Sequence, residues 1–457
     1  LKGGVKELNL TSGKLRDLLL KDENNEAIYC RTLLVYTDNE LWIGTESGVY
    51  IYNLRTEKYT HLRSSEYDPY SLSDNAIYSF CKDREDGIWI GSYFGGVNYY
   101  PRSYTYFEKY YPKGIENSLH GKRVREFCRD SQGILWIGTE DGGLNRFNLK
   151  TKDFSFFAPS AGFTNIHGLC LVDDKLWVGT FSKGLKVIDT RSGVVLKTYQ
   201  KNDSPRSLID NSIFAICKTA TGDIYLGTMF GLVRYNKQSD DFDRIPELNG
   251  KFIYDIKEDS AGNIWLATYA NGAYCYNVND RKWKNYVHDD KDNTSLPYNK
   301  VSSVFEDSHR QIWLTTQGGG FCIFHPESET FTSYNSTNGL PSDVVYQIVE
   351  DKEGQLWLTT NNGLVCFQPN TEAMKVYTTA NGLLGDQFNY RSSFEDENGM
   401  IYFGGIDGFI AFNPKDFSEN KNLPTVVITD FLLFNKEVYA DCLLYTSPSP
   451  RDRTRSR

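Results

Sequence analysis

The amino-acid sequence predicts an all-β fold built from β-propeller repeats, with four-stranded blades stacked into a ring. Three observations predict it: one phrase repeated nine times, a repeat period in the forties, and no sustained helical periodicity. The phrase is an apolar residue, then Trp or Tyr, another apolar residue, and usually Gly-Thr. Its aromatic anchors are Trp42, Trp89, Trp136, Trp177, Tyr225, Trp265, Trp313, Trp357 and Tyr402. They stand 47, 47, 41, 48, 40, 48, 44 and 45 residues apart. Short strand-like runs recurring at such a period mark propeller blades. Helical solenoids of similar repeat length would need a 3.6-residue apolar pattern, which the units lack.

The unit around Trp89 shows how one repeat makes one blade. Residues 76–81 alternate apolar and polar character, as a half-buried strand does. Asp83, Asp86 and Gly87 then supply turn chemistry before the anchor strand, residues 88–92. Gly95 and Gly96 form a second turn, and residues 97–100 and 106–110 give strands three and four. The next unit repeats this order with residues 124–128, the Trp136 strand, Gly142-Gly143, residues 144–147 and residues 154–157. A single sheet of this kind exposes two apolar faces, and stacking blades buries them. The anchors are accordingly expected between blades as core, with no role as ligand platforms, since an indole buries about 200 Å². Carboxylates in the hairpins between strands one and two are expected as solvated turn residues.

Composition narrows the function classes. The chain has 457 residues, with 31 Tyr, 27 Phe and 8 Trp, which suits an all-β protein with large faces to pack. A formal charge of −9 without Lys/Arg clusters in the blades argues against a nucleic-acid surface. No apolar run approaches the roughly 20 residues of a membrane-spanning helix. Cys81, Cys128, Cys170 and Cys217 recur in first strands, and Cys275, Cys322 and Cys366 in third strands. Recurrence at one apolar position reads as buried filler, and no CxxC or metal-ligand spacing is present.

The full repeat runs Ser71-Leu72-Ser73-Asp74-Asn75-Ala76-Ile77, a turn ending in Gly, the anchor phrase, Gly-Gly-Val, then aromatics and Asn. Related openings begin at Ser207 and Ser295. This pattern resembles the two-component-regulator propeller repeat, found in the extracytoplasmic sensors of hybrid two-component systems. The segment 381–389, then 401–408, then Phe412-Asn413-Pro414, is similar to that family's closing blade, and residues 424–436 to the entry into its β-sandwich. The resemblance implies two seven-bladed propellers before that sandwich. Residues 1–112 are then the terminal blades of a first, truncated propeller, residues 113–415 a complete seven-bladed propeller, and residues 416–441 the start of the sandwich. Residues 442–457 look like a translated adapter sequence and are expected neither to pack nor to matter. The resemblance further implies a periplasmic location, a likeness to ectodomains that work as homodimers, and a kinase only beyond a transmembrane helix outside this sequence.

No catalytic constellation stands out. The six His (61, 120, 167, 288, 309 and 325) fall in unrelated contexts, no metal site is evident, and no cofactor is expected. Ligands of propellers usually sit where the loops entering strand one meet those between strands two and three. Those loops carry Arg123, Glu140, His167, Phe181, Phe230, Tyr254, Tyr269, Asn271, Gln317, Asn361, Asn389 and Arg391, which break the repeat and are candidates for ligand binding. Aromatic faces with Asn, Gln and Arg suit a sugar ring with hydroxyls or carboxylates. The leading expectation is a non-enzymatic oligosaccharide sensor. A polysaccharide or antibiotic lyase on the same fold, and a protein-interaction scaffold, remain as alternatives.

Overall fold

A four-stranded antiparallel sheet cannot bury both of its faces alone, and the chain solves this by placing sheet against sheet. In this computed structural model residues 3–22, 24–101 and 106–417 are described, with the backbone of 432–433 and 436–437. Seven consecutive four-stranded sheets form a ring, numbered here as blades 1 to 7 with anchors Trp136, Trp177, Tyr225, Trp265, Trp313, Trp357 and Tyr402. Blade 1 runs Val124–Arg129, Ile134–Thr139, Gly143–Asn148 and Phe154–Phe156, each strand pairing with the next. Blades 2 to 6 repeat this order. The inner strand of every blade packs beside that of the next, and Phe388–Glu395 of blade 7 packs beside Val124–Arg129 of blade 1. The Ser392 hydroxyl donates across that junction to the Val124 carbonyl at 3.1 Å.

The ring closes through a strand from far upstream. Blade 7 contains Phe388–Glu395, Ile401–Gly405 and Phe409–Phe412, and its fourth, outer strand is Glu108–Tyr110. Glu108 pairs with Ala411, Lys109 with Ile410 and Tyr110 with Phe409. This corrects the sequence reading, which gave residues 106–110 to the Trp89 blade and ended the first domain at 112. Local spacing is the same in both arrangements. The open edge of Phe409–Phe412 decides, because an unpaired edge of buried residues is unstable, and Tyr110 stacks on Phe409 at 4.5 Å.

Before the ring lie a complete blade with anchor Trp42, a three-stranded sheet with anchor Trp89, and the hairpin Val5–Leu8 with Leu15–Leu19. Trp42 is fully buried, as are Trp136, Trp313 and Trp357, so most anchors are the inter-blade core that was expected. Trp89 differs. It is 46% exposed, because among the described residues no further blade covers its face. Cys81, on the same sheet, is exposed for the same reason. Residues 418–457 form a separate unit, of which only the antiparallel pair Leu432–Leu433 and Lys436–Glu437 is described. The expectations for residues 416–441 and 442–457 lie almost wholly outside the described residues.

The repeat phrase has a hydrogen-bonding cause. Asp130 Oδ1 accepts from the amides of Gln132 and Ile134, at 2.9 and 3.0 Å, while its Oδ2 accepts from the Trp136 indole N–H at 2.8 Å. Asp259, Asp307 and Asp351 do the same for Trp265, Trp313 and Trp357. These carboxylates are buried, which corrects the expectation of solvated turn residues. An indole carried into the core needs an acceptor, and the turn carboxylate supplies it. The Thr of each Gly-Thr bonds the next turn: Thr316 Oγ1 donates to the Gly320 carbonyl at 2.8 Å. Gly320 has φ +74°, and a Cβ there would stand 2.0 Å from the Tyr334 carbonyl oxygen.

Asp307→Ala leaves one indole and two amide donors without their acceptor. At about 1–3 kcal/mol per unsatisfied buried group, a loss of roughly 3 kcal/mol is expected. Asp396→Ala, in the blade whose anchor is a Tyr, removes only two amide bonds and is expected to cost less. Urea unfolding of the two variants checks the order; equal losses would refute the indole's part in it.

Candidate functional site

The inner strands of the ring share one irregularity. In blades 1 to 6 the pairing with the second strand skips a single residue: Arg125, His167, Phe214, Tyr254, Ser302 and Tyr346. In blade 7 the skip lies between Phe388 and Ser393 and takes in Asn389, Tyr390, Arg391 and Ser392. A bulge frees one residue from the ladder and re-aims its side chain. Here the bulges fall at one level of all seven inner strands, so the freed side chains ring the axis at the mouth of the propeller. The six single-residue positions are all buried.

Aromatic contacts join most of this ring. Tyr254 stacks on Tyr390 at 5.6 Å, and Tyr346 meets Tyr390 edge-on at 4.8 Å. Phe252 contacts Tyr254 at 4.7 Å, stacks on Tyr269 at 5.4 Å and meets Phe214 at 4.5 Å. Phe214 lies 4.7 Å from His167, and Phe181 lies 5.9 Å from it. The arc ends in partly exposed rings, Phe181 at 41% and Tyr269 at 43%. The Lys300 ammonium stands 4.3 Å over Tyr269.

Electrostatically, Arg125 is the unusual member. Its side chain is 1% exposed and its one ion-pair partner, Glu140, is 3.8 Å away. Its Nε and Nη2 have no hydrogen-bond partner among the described residues; neither do His167 Nδ1, Ser302 Oγ, Gln317 Nε2 or Asn389 Nδ2. The guanidinium lies 4.9 Å from the centre of the Tyr390 ring. Tyr390 in turn donates to Gln317 Oε1 at 3.4 Å. Burial, helped by the charge of Arg125, holds the His167 imidazole well below its ordinary pKa, so it is neutral at neutral pH.

Next to the bulges lies a buried charge cluster. Arg391 Nε is 2.9 Å from Asp255 Oδ1, its Nη1 donates to the Phe214 carbonyl at 3.0 Å, and Glu126 Oε1 stands at 3.5 Å. Asp255 Oδ2 accepts the Val304 amide at 3.0 Å. Burial raises the Glu126 carboxyl to about 8, against the opposing pull of Arg391 and Arg125. Against the cost of burial, the neighbouring acidic groups, Asp255 the nearest, keep Arg391 charged. The shorter contact makes Asp255 the partner of Arg391, and Glu126 carries a proton at neutral pH.

Of the candidate residues from sequence, the structure brings together His167, Phe181, Tyr254, Tyr269 and Gln317, with Glu140 joined through Arg125 and Asn389 beside Tyr390. Arg391 is taken up in the buried cluster beside the mouth. Arg123, Phe230, Asn271 and Asn361 stand on their own turns, where Arg123 and Asn361 are exposed and Phe230 is 52% exposed. The sequence reading missed Arg125, Phe214, Phe252, Lys300, Tyr346 and Tyr390, and the buried Glu126 and Asp255. A signal was present: Glu126 and Asp255 put a carboxylate at a strand position that is uncharged in the other repeats, as at Gly168, Ala215, Ser303 and Gln347. Chemically the mouth offers ring faces, a bare guanidinium and amide donors. No carboxylate hydrogen-bonds His167 and no metal-binding group of His, Cys, Asp and Glu occurs among the described residues.

The two buried charges predict opposite outcomes. Arg391→Met strands Asp255 without its cation and is expected to destabilise by about 3–5 kcal/mol. Glu126→Gln removes a group whose folded-state pKa lies above its unfolded one. Such a group supports the fold below pH 4.5 and loses that support as pH rises towards about 8. The variant should therefore gain on the natural protein steadily from pH 5 to pH 8, measured by chemical unfolding; a constant difference would contradict the assignment.

Comparison with known proteins places this geometry. The family described as two component regulator propeller matches residues 71–94, 118–141, 247–270 and 339–362. Histidine kinase P4 of Formosa agariphila is 30% identical over 291 residues, 60% of this chain and 21% of that protein. The extracellular domain of a hybrid two-component system from B. thetaiotaomicron superposes with TM-score 0.77 at 25% identity, over 94% of this chain and 56% of that one. The chain thus spans about a fifth of that kinase and just over half of that solved domain. Virginiamycin B lyase from Staphylococcus aureus shares the fold alone, with TM-score 0.51 at 14% identity over 67% of this chain and 97% of its own. Four segments of this chain thus match the two component regulator propeller repeat, and nearly its whole length is similar to the extracellular domain of a hybrid two-component system.

Proposed function

We propose that the chain is part of the periplasmic sensor region of a hybrid two-component histidine kinase, and that it binds an oligosaccharide at the axial mouth of the ring without cleaving it. One observation carries this reading: seven bulges aim an aromatic arc and a set of unsatisfied buried donors at one point. A buried guanidinium without hydrogen bonds costs several kcal/mol, and a ligand oxygen at Arg125 would offset that cost. Stacking on Tyr269 and Phe181 would supply the apolar half of the contact. Kinase activity, a membrane helix, a homodimer and control of glycan use belong to the whole protein in this proposal. Ligand would act by its differential affinity for two arrangements of the dimer.

The lyase reading keeps one supporting observation, the neutral His167 with a free Nδ1 beside Arg125, Tyr254 and Tyr390. Chromatography of the sugar after incubation separates the two, because turnover favours the lyase.

Calorimetry against a panel of glycan oligosaccharides is expected to find one bound with micromolar affinity, roughly −8 kcal/mol. Tyr269→Ala or Phe181→Ala should weaken binding without changing the melting temperature, since both rings are partly exposed. Arg125→Met should leave the melting temperature unchanged or raise it while abolishing binding, because it relieves an uncompensated buried charge. Saturable binding untouched by all three substitutions would move the site away from the mouth.

A further inference from the structure

The five Trp-bearing turns described above have one exception inside the ring. Blade 2 has Val172 at the position that Asp130, Asp259, Asp307 and Asp351 occupy, two residues after the cysteine or its equivalent in the first strand. Its hairpin turns on Asp173 and Asp174, with φ of +47° and +59°. As a result the Trp177 indole N–H has no hydrogen-bond partner among the described residues and opens to solvent, although the residue as a whole is only 5% exposed. It faces a groove of about 580 Å³ between blades 2 and 3, within the range of ligand sites.

The groove is reached from the turns joining strands one and two and strands three and four, the opposite ends of the strands from the mouth. Its walls carry Trp177, Tyr199 and Tyr235. Both phenols already donate to Asp240, at 2.5 and 2.6 Å, so what they offer is ring surface. Lys175 and Lys237 line it as exposed cations without a hydrogen-bond or ion-pair partner among the described residues. The lining carries five cations, Lys175, Lys197, Lys218, Arg234 and Lys237, against three carboxylates, Asp173, Asp223 and Asp243, of which Asp173 lies in the field of Lys175 and Lys237. In a chain of formal charge −9 this is a small local excess of positive charge around an apolar floor.

We propose that this groove is a second binding site, for a saccharide carrying carboxylate or sulfate groups. The flat body of such a sugar meets the aromatic walls, its anionic groups meet Lys175 and Lys237, and one oxygen accepts the Trp177 N–H. The site is independent of the mouth and does not need the sensor reading to hold.

The test follows the Trp177 indole N–H resonance in the ¹⁵N-labelled full chain, assigned with Trp177→Phe. Probes are an oligogalacturonate, a sulfated galactan oligosaccharide, a neutral gluco-oligosaccharide of equal length and a polyglutamate peptide. A shift with one of the two anionic sugars, absent with the neutral one, is expected, and which of them acts tells carboxylate from sulfate. Lys175→Glu with Lys237→Glu, an exposed strand end and an exposed turn position, should weaken it at least tenfold. Val172→Asp, which restores the carboxylate of the other blades, should do the same, and Tyr269→Ala should have no effect. No response of Trp177 to either anionic sugar at millimolar concentration overturns the proposal. So does a response unchanged by the charge reversal, and an equal response to polyglutamate assigns the groove to acidic peptides instead.

Discussion

Ring closure is the constraint on which the rest of this structure depends. Seven sheets packed face to face end on each other only if the outer edge of the last is covered, and Glu108–Tyr110 covers it by pairing with Phe409–Phe412. Once the ring is closed, the inner strands converge and their side chains compete for little space. The bulge belongs to the repeat, since the sheets before the ring skip Arg31 and Tyr78 in the same way, and closure brings those of the ring to one axis. A residue freed from the ladder can be as large as Tyr254 or as charged as Arg125 without disturbing its neighbours' register. The mouth is therefore a product of closure as much as of the residues in it.

The turn carboxylates show how a buried polar group is handled when function does not intervene. Asp307 satisfies two amides and an indole at once, and nothing in that arrangement is left over. The mouth shows the contrary pattern. Arg125, His167, Ser302, Gln317 and Asn389 keep buried atoms without partners, in a protein whose turns prove that satisfying such atoms is well within reach of its sequence. Single unsatisfied atoms also occur elsewhere, as at Tyr50, Arg146 and Arg244, but the mouth gathers five such residues around one opening, which marks a place where something else is meant to bind. The blade 2 groove differs in kind: Val172 stands where the other Trp blades of the ring have an Asp acceptor, and the Trp177 N–H opens to the groove instead.

Blade number, the order of the first three strands in each blade and most of the buried Trp anchors were legible in the sequence, because they rest on local spacing and on alternation within one repeat. The aromatic members of the site, Phe181 and Tyr269 among them, were legible as residues that break the repeat. Arg125, Tyr390 and Phe214 were not found, since each lies inside a strand where the alternation rule assigns it to a sheet face. Only the skipped register at 125, 214 and 389–392 turns those positions towards the axis.

The sequence by itself determined the blade, since turn chemistry, apolar alternation and the anchor phrase act over fewer than fifty residues. Tertiary structure decided the partner of Glu108–Tyr110, the exposure of Trp89 and the company kept by Arg391. In each case the deciding contact joins segments far apart in the chain or depends on whether a neighbouring blade is present. Local sequence carries no information about an edge about 300 residues away; only the free energy of covering that edge does.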